Sequence, residues 1–498
     1  MGGYSPGRRW SRFGLGLIIA VIFLSVAGAL RADTDRLAEA LDRFVRDPKW
    51  SGLKIGVRVE TLGQSPEIIY DYHGRTPRMP ASNQKIVTSA AALCLLPADF
   101  TYRTILARRG SDLVIIGSGD PSSGDPRMAA RAGESITTVF HRWAEALKAR
   151  ALTTITGDLV YDDTVFDDTY LHPSWRAQQR NLSAWYTAPV GGLNFANNCL
   201  GVVIQRGAGQ GAPAEVRLIP TTGWTHLSNS AVTAASGQPL VNRTGDGPIT
   251  ITVSGKVSQS NTETDPLWVT VPDPSAFFAT TARTALAAKG VKIVGSTRRQ
   301  QVRRPGEPLP ADVEVIAVHE TRLVDFLDRM NKRSVNMFAE AVLKTLGAYD
   351  RKGQLADQGT FERGSQEVSR YLAALGLADE LYVIDDGSGL SRDNRMAPLV
   401  LTAVLRYMDR HPLRELWWQS LAEPGDEEGT LRRRMSKLKG RIYAKTGHLS
   451  GVGALSGYAL GQGGQRYAFS VLCEGGGSHH PVQDGICEIL ATWDETKP

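Results

Sequence analysis

The sequence predicts an α/β (α+β) protein whose antiparallel sheet, flanked by helices, is assembled from both ends of the chain around a large β-rich insertion. Three observations carry this. Residues 54–60 alternate apolar and polar as a strand does, and residues 67–72 can pair with them. Near the other end, residues 441–445, 454–460 and 466–473 read as three further strands and 484–493 as a terminal helix. Between about 100 and 312 the texture changes to short strands rich in Gly, Pro and Thr.

Length and composition set the frame. A chain of 498 residues exceeds one ordinary core, so two or three domains are expected. An apolar content of 42% with 22% charged residues and no low-complexity run excludes disorder. The net charge of +6 includes Arg8, Arg9 and Arg12 of a leader-like N-terminus that holds no acid, and the remainder is nearly neutral. No basic stripe with interleaved aromatics occurs, so nucleic acid is not an expected partner.

The three arginines, the apolar run over 13–30 and the small residues Ala27-Gly28-Ala29 form an export signal at 1–29, with cleavage expected after Ala29 or Ala32. An uncleaved anchor is the alternative. With cleavage the protein is periplasmic or secreted and holds no strong membrane association. Cys94, Cys199, Cys473 and Cys487 lack metal-ligand spacing; Cys473–Cys487 is the nearer pair for a disulfide, with free buried thiols equally open.

Along the chain, a turn marked by Pro77 and Pro80 follows the first two strands and leads into a helix over 82–96. The insertion offers strands at 112–117, 158–161, 215–219, 249–256 and 268–271, with helices at 136–149 and 275–289. Helices at 323–330, 335–346 and 364–375 precede the last three strands. The expected division is a catalytic part at 33–99 and 313–498, an inserted domain at 100–200 and 274–312, and a nested β-rich domain at 201–273.

Three short patterns carry chemistry. Ser82-Asn83-Gln84-Lys85 opens a helix, and positions i and i+3 share a face, so the Lys85 amine can reach the Ser82 hydroxyl. A serine needs such a base to become a nucleophile, and a helix start suits a developing oxyanion. Ser334-Val335-Asn336 sits at another helix start, and Lys445-Thr446-Gly447, followed by His448, ends a strand. The Lys445 ammonium can hold a carboxylate and lower the pKa of Lys85 by like charge. Singly, each pattern also fits a surface lysine, an N-cap serine or an edge-strand turn.

In this order the three resemble the S-x-x-K, S-x-N and K-T-G set of penicillin-recognising serine enzymes. The wider strings, Pro80 to Lys85, Met330 to Asn336 with Ala339-Glu340, Asp386 to Arg392 and Ala444 to Gly447, resemble class C low-molecular-mass penicillin-binding proteins, which are D-alanyl-D-alanine carboxypeptidases and often endopeptidases. Members of that family carry a two-domain insertion between the first two motifs, and Trp185 to Pro189 with Leu193 to Phe195 also resemble it.

The resemblance implies a transpeptidase/β-lactamase-like catalytic domain acting on peptidoglycan stem peptides, inhibited by β-lactam antibiotics, with no cofactor and no metal. It implies Ser82 as nucleophile, Lys85 as base, Ser334 as proton relay, Asn336 and Lys445 as orienting and tuning groups, and Thr446, Gly447 and His448 as the substrate edge. His448 departs from the family's usual Ser or Thr at that position. Ser388 and Arg392 are expected to face the side chain of the stem-peptide diamino acid, and Asp162 its ammonium. A β-lactamase shares all three motifs but needs an acid to drive deacylation, and none is identifiable. A non-catalytic envelope binding protein would have lost a catalytic residue, whereas all are present.

Overall fold

In the computed structural model, residues 2, 34–262 and 265–494 are described; the expected leader, Gly2 apart, lies outside them. The central sheet is antiparallel and five-stranded, in the order Ile442–Leu449, Val452–Leu460, Arg466–Gly475, Leu53–Thr61, Ile68–Tyr72. The two chain ends therefore meet in one sheet, with Leu53 opposite Gly475 and Thr61 opposite Tyr467.

Successive side chains of a strand point to opposite faces, and the last strand shows how that divides the core. Phe469 and Val471 pack with Leu37, Leu41 and Val45 of a helix over 34–45 and with Val482, Ile486 and Leu490 of the helix His480–Thr492. Ala468 and Leu472 face the other way, onto the helices Gln84–Leu95, Asn336–Ala348 and Pro398–Met408. The helix over 34–45 was not anticipated, although Leu37, Leu41 and Val45 recur at the spacing of one helical face.

The insertion holds a second five-stranded sheet: Thr297–Arg299, Leu159–Asp162, Asp112–Ile116, Thr101–Arg109 and Val313–Arg322. The chain enters along Thr101–Arg109 and leaves antiparallel beside it along Val313–Arg322. The return to the catalytic part thus begins at Leu323, not at 313 as the sequence suggested. Most of this strand's side chains are exposed or half-exposed, which blurs the alternation that would have marked it. Beyond lie a three-stranded sheet (Leu267–Thr270, Cys199–Gln205, Glu215–Ile219) and a four-stranded one built on Ile249–Ser258. Phe140 and Phe278 of the insertion's helices share one apolar cluster with Leu200 and Val253, so these sheets are packed together. A buried ion pair, Arg329 to Asp125 at 2.7 Å, ties the insertion to the segment before Ser334.

All four cysteines are free thiols, so the Cys473–Cys487 disulfide is not formed. Cys473 and Cys487 are both buried in the core shared by the last strand and the terminal helix, where burial pushes the thiol pKa up.

Candidate active site

Ser82 lies in the turn Ala81–Asn83 that feeds the helix Gln84–Leu95. The turn is held tightly. Ala81 has φ 44°, and Asn83 donates through Nδ2 to the Lys445 carbonyl over 2.9 Å, joining the turn to the edge strand of the sheet. Gly389 (φ 80°) passes so close that a Cβ there would sit 1.8 Å from the Ala81 carbonyl.

Lys85 is fully buried and donates three hydrogen bonds: to Ser82 Oγ at 3.1 Å, Asn336 Oδ1 at 2.7 Å and the Ser388 carbonyl at 2.8 Å. Burial lowers its pKa to about 7, against the opposing pull of the Asp386 and Glu340 carboxylates. Glu340 accepts the backbone N–H groups of Gly387 and Ser388, and so fixes the carbonyl that Lys85 meets. Asp386 anchors the same loop by accepting from the N–H groups of Gly389 and Ser391 and from Trp175 Nε1.

A second lysine–serine couple faces the first. Lys445 Nζ, also buried, donates to Ser334 Oγ at 2.9 Å and to the Thr446 carbonyl at 2.9 Å. Burial first, and the Lys85 charge second, hold its pKa well below the usual value. Ser334 has φ 62°, a left-handed conformation that costs a non-glycine residue on the order of 1–2 kcal/mol. Asn336 completes the link by donating through Nδ2 to the Tyr186 carbonyl at 2.8 Å.

The Ile442–Leu449 strand is the free edge of the sheet. Ala444 exchanges both backbone bonds with Ala422 on its outer side, and the period of two turns the backbone groups of Thr446 and His448 the same way. These groups face a cleft of about 890 Å³ lined by Ser82, Ser334, Asn336, Thr446, His448 and Arg392, among others. Thr446 Oγ1 donates to Thr430 Oγ1 at 2.8 Å. Gly447 passes beneath Pro80, where a Cβ would meet the Pro80 carbonyl at 2.9 Å.

Two expected substrate residues fall elsewhere. The Ser388 side chain is buried and turned into its own loop, near Asp386 and the Leu390 N–H; only its carbonyl serves the site. Asp162 is 2% exposed at the end of an insertion strand, its oxygens occupied by the N–H groups of Thr164, Val302 and Arg303. It does not line the cleft. Tyr186 and Thr430 do line it: Tyr186 lies in the Trp185–Pro189 string but was given no role in the site, and Thr430 belongs to no local pattern that advertises one.

A helix-start serine beside a buried lysine, faced by a second such couple at a free sheet edge, defines a serine enzyme of the penicillin-recognising class. Residues 37–496 match the D-Ala-D-Ala carboxypeptidase 3 (S13) family, and the chain belongs to it. It is 33% identical over 494 residues to a D-alanyl-D-alanine carboxypeptidase of an Actinomadura species, covering 94% of this chain and 87% of that one. It is 24% identical over 444 residues to the D-alanyl-D-alanine carboxypeptidase DacB of Haemophilus influenzae, covering 85% of this chain and 86% of that one. The fold matches the crystal structure of penicillin binding protein 4 from Haemophilus influenzae with a TM-score of 0.69 at 22% identity, covering 91% and 98% of the two chains. The activity that follows from this membership is that of a serine-type D-Ala-D-Ala carboxypeptidase.

Proposed function

We propose that the enzyme cleaves D-Ala-D-Ala termini of peptidoglycan stem peptides through an acyl-enzyme on Ser82, and that it opens D-Ala-linked cross-bridges by the same chemistry. The observation that carries this reading is the contact of Lys85 Nζ with Ser82 Oγ at 3.1 Å, made by an amine whose pKa is brought to about 7. Neutral Lys85 takes the Ser82 proton as the hydroxyl oxygen attacks the carbonyl of the penultimate D-Ala. The oxyanion is received by the backbone N–H groups of Ser82 and His448. Collapse breaks the C–N bond, and the proton that Lys85 took from Ser82 passes through the Ser334 hydroxyl, which Lys445 holds, to the leaving D-Ala nitrogen, returning Lys85 to its neutral form. Lys445 and Thr446 grip the terminal carboxylate, and Asn336 keeps Lys85 aimed. Water then releases the acyl group and restores Ser82.

β-Lactams enter by the same acylation. The described residues lining the cleft include no Asp or Glu that could drive water onto the ester, which favours a long-lived adduct over β-lactamase turnover. Export to the periplasm or beyond fits both the substrate and the leader-like N-terminus. Among the described residues no helix is long and apolar enough to cross a membrane.

Two measurements on the full chain test the proposal: intact mass after benzylpenicillin, and D-Ala release from an acyl-D-Ala-D-Ala peptide. A single persistent adduct on Ser82 together with D-Ala release is expected. Rapid penicillin turnover without an adduct would replace the peptidase reading with a β-lactamase.

A further inference from the structure

Ser334 sits in a left-handed backbone conformation, φ 62°, which persists in a non-glycine residue only where the surroundings over-determine it. Its turn is closed by the Val335 N–H, which donates to the Arg329 carbonyl at 3.1 Å, and by the N–H groups of Lys332 and Arg333, which both donate to the Asp328 carbonyl. The placement of Ser334 therefore depends on where residues 328 and 329 are held. The insertion holds both. Arg329 Nε and Nη2 bond the two oxygens of Asp125 at 3.1, 3.1 and 2.7 Å, and both side chains are buried. Asp328 pairs at 2.6 Å with Arg131, at the end of the insertion helix Pro126–Arg131.

Asp125 is itself firmly mounted. Its Oδ1 caps that helix by accepting from the N–H groups of Arg127 and Met128, and its own N–H donates to the Ser122 carbonyl. Ser122 is fixed in turn by Asp120, which accepts its N–H and hydroxyl and, through the other oxygen, the hydroxyl of Thr321 on the strand Val313–Arg322. On the other side of Ser334 the insertion makes a second contact, the Tyr186 carbonyl that accepts from Asn336 Nδ2. Glu428, beyond the insertion in sequence, joins the two bodies by pairing with Arg333 at 2.9 Å and Arg131 at 3.0 Å.

Resting on the peptidase reading above, we infer that the insertion is part of the proton-relay machinery: the buried Asp125–Arg329 pair positions the Ser334 hydroxyl between Lys445 and the leaving nitrogen. Asp125 and Arg329 are positioning residues, since neither lines the cleft. As the C–N bond breaks, its electron pair stays with nitrogen, and the proton that Lys85 took from Ser82 reaches that nitrogen through Ser334. A displaced Ser334 strands the proton and slows those leaving groups that need it. An amine needs it, because an amide anion is far too basic to leave. A thiolate, whose thiol has a pKa of about 8.5, leaves without it.

The test compares two substrates on the full chain: a diacetyl-L-Lys-D-Ala-D-Ala peptide and its thioester, in which D-thiolactate replaces the last D-Ala and sulfur stands for the N–H. The ratio of their kcat/KM on one sample is independent of how much of that sample is folded. Asp125→Asn keeps the helix cap but removes the charge that Arg329 needs. The peptide rate should fall roughly ten- to a hundred-fold and the thioester rate much less, so that the thioester-to-peptide ratio rises about fivefold or more. Ser334→Ala should raise the ratio further, and adding Asp125→Asn to it should leave the ratio where Ser334→Ala alone put it. Arg329→Lys, which keeps the charge but not the fork, should raise the ratio less than Arg329→Met. A ratio unchanged in Asp125→Asn and Arg329→Met overturns the inference, as does a rise of the same size with the Ser334 hydroxyl already absent. Should Asp125→Asn not fold, the ratio in Asp125→Glu and Arg329→Lys decides in the same way. A parent enzyme that cleaves neither substrate refutes the peptidase reading instead. The clamp then stands or falls on benzylpenicillin acylation, whose lactam nitrogen also takes a proton: Asp125→Asn should slow it roughly tenfold while labelling still reaches completion.

Discussion

Lys445 donates to the hydroxyl of Ser334 over 2.9 Å, and the bond mirrors the one between Lys85 and Ser82 across the cleft. Two buried ammonium groups so close to one another cannot both keep their ordinary pKa. Each is desolvated, and the Lys85 charge adds to the lowering of Lys445. Ser82, the proposed nucleophile, and Ser334, the proposed proton relay, are thus each held by a lysine that releases protons readily.

Acylation by benzylpenicillin should follow the titration of Lys85. Its amine accepts a proton only when neutral, so the rate should fall roughly tenfold for each pH unit below the pKa and level off above it. With the pKa lowered to about 7, the midpoint is expected near there. Stopped-flow acylation rates across the pH range check this; a midpoint in the ordinary lysine range would remove Lys85 as the base. Lys85→Ala should lose most of the rate at every pH, and Ser82→Ala should lose the adduct altogether.

Asn336 allows the same linkage to be moved. Its Oδ1 accepts from Lys85 at 2.7 Å while its Nδ2 donates to the Tyr186 carbonyl. Asn336→Asp would set a negative charge against Lys85, favouring the ammonium form and raising its pKa by about one unit or more. The acylation profile should shift to higher pH, with the loss at neutral pH partly recovered in alkali. A loss uniform across pH would assign Asn336 to orientation alone.

Lys445→Ala should cost substrates with a free terminal carboxylate more than their amides. The ammonium gives the carboxylate a charge-assisted bond worth about 1.5–3 kcal/mol, or roughly ten- to a hundred-fold in kcat/KM, and gives the amide less. Matched acid and amide peptides compared on the variant check it. Equal losses would leave Lys445 only its hold on Ser334.

Much of the site was legible because its chemistry is local in sequence. Ser82 and Lys85 are one helical turn apart, Ser334 and Asn336 open a helix, and Lys445 and Thr446 are adjacent. The parts that escaped are made by contacts between distant segments. Tyr186 reaches Asn336 across 150 residues, and Ser388 serves Lys85 by its backbone, which any residue type supplies. In the fold, the buried strands and helices of the central sheet stood out by their patterns, whereas Val313–Arg322, mostly exposed or half-exposed, gave no clear alternation. Asp162 misled for a related reason: two adjacent acids in a strand-to-loop step look alike whether they face solvent, a ligand or the backbone 140 residues away.

Asp162 offers the sharpest contrast between the two readings of a residue. Its Oδ1 accepts from the Thr164 N–H and hydroxyl at 3.0 and 2.7 Å, and its Oδ2 from the N–H groups of Val302 and Arg303, each at 2.7 Å. The carboxylate therefore clasps the 302–303 segment to the strand end at Leu159–Asp162. Asp162→Ala removes the acceptor and leaves three backbone donors to find water or stay unpaired, at a combined cost of about 3–5 kcal/mol. Asp162→Asn keeps the shape but turns one acceptor into a donor that faces an N–H, so it should also destabilise. Both variants should unfold at lower temperature or denaturant, while the ratio of kcat/KM for carboxylate- and ammonium-ended peptides stays that of the parent enzyme. Thermal denaturation alongside the peptide ratio separates the cases. Full stability with an altered ratio would return Asp162 to the substrate, because only a group facing the cleft can change which side chain is preferred without loosening the fold.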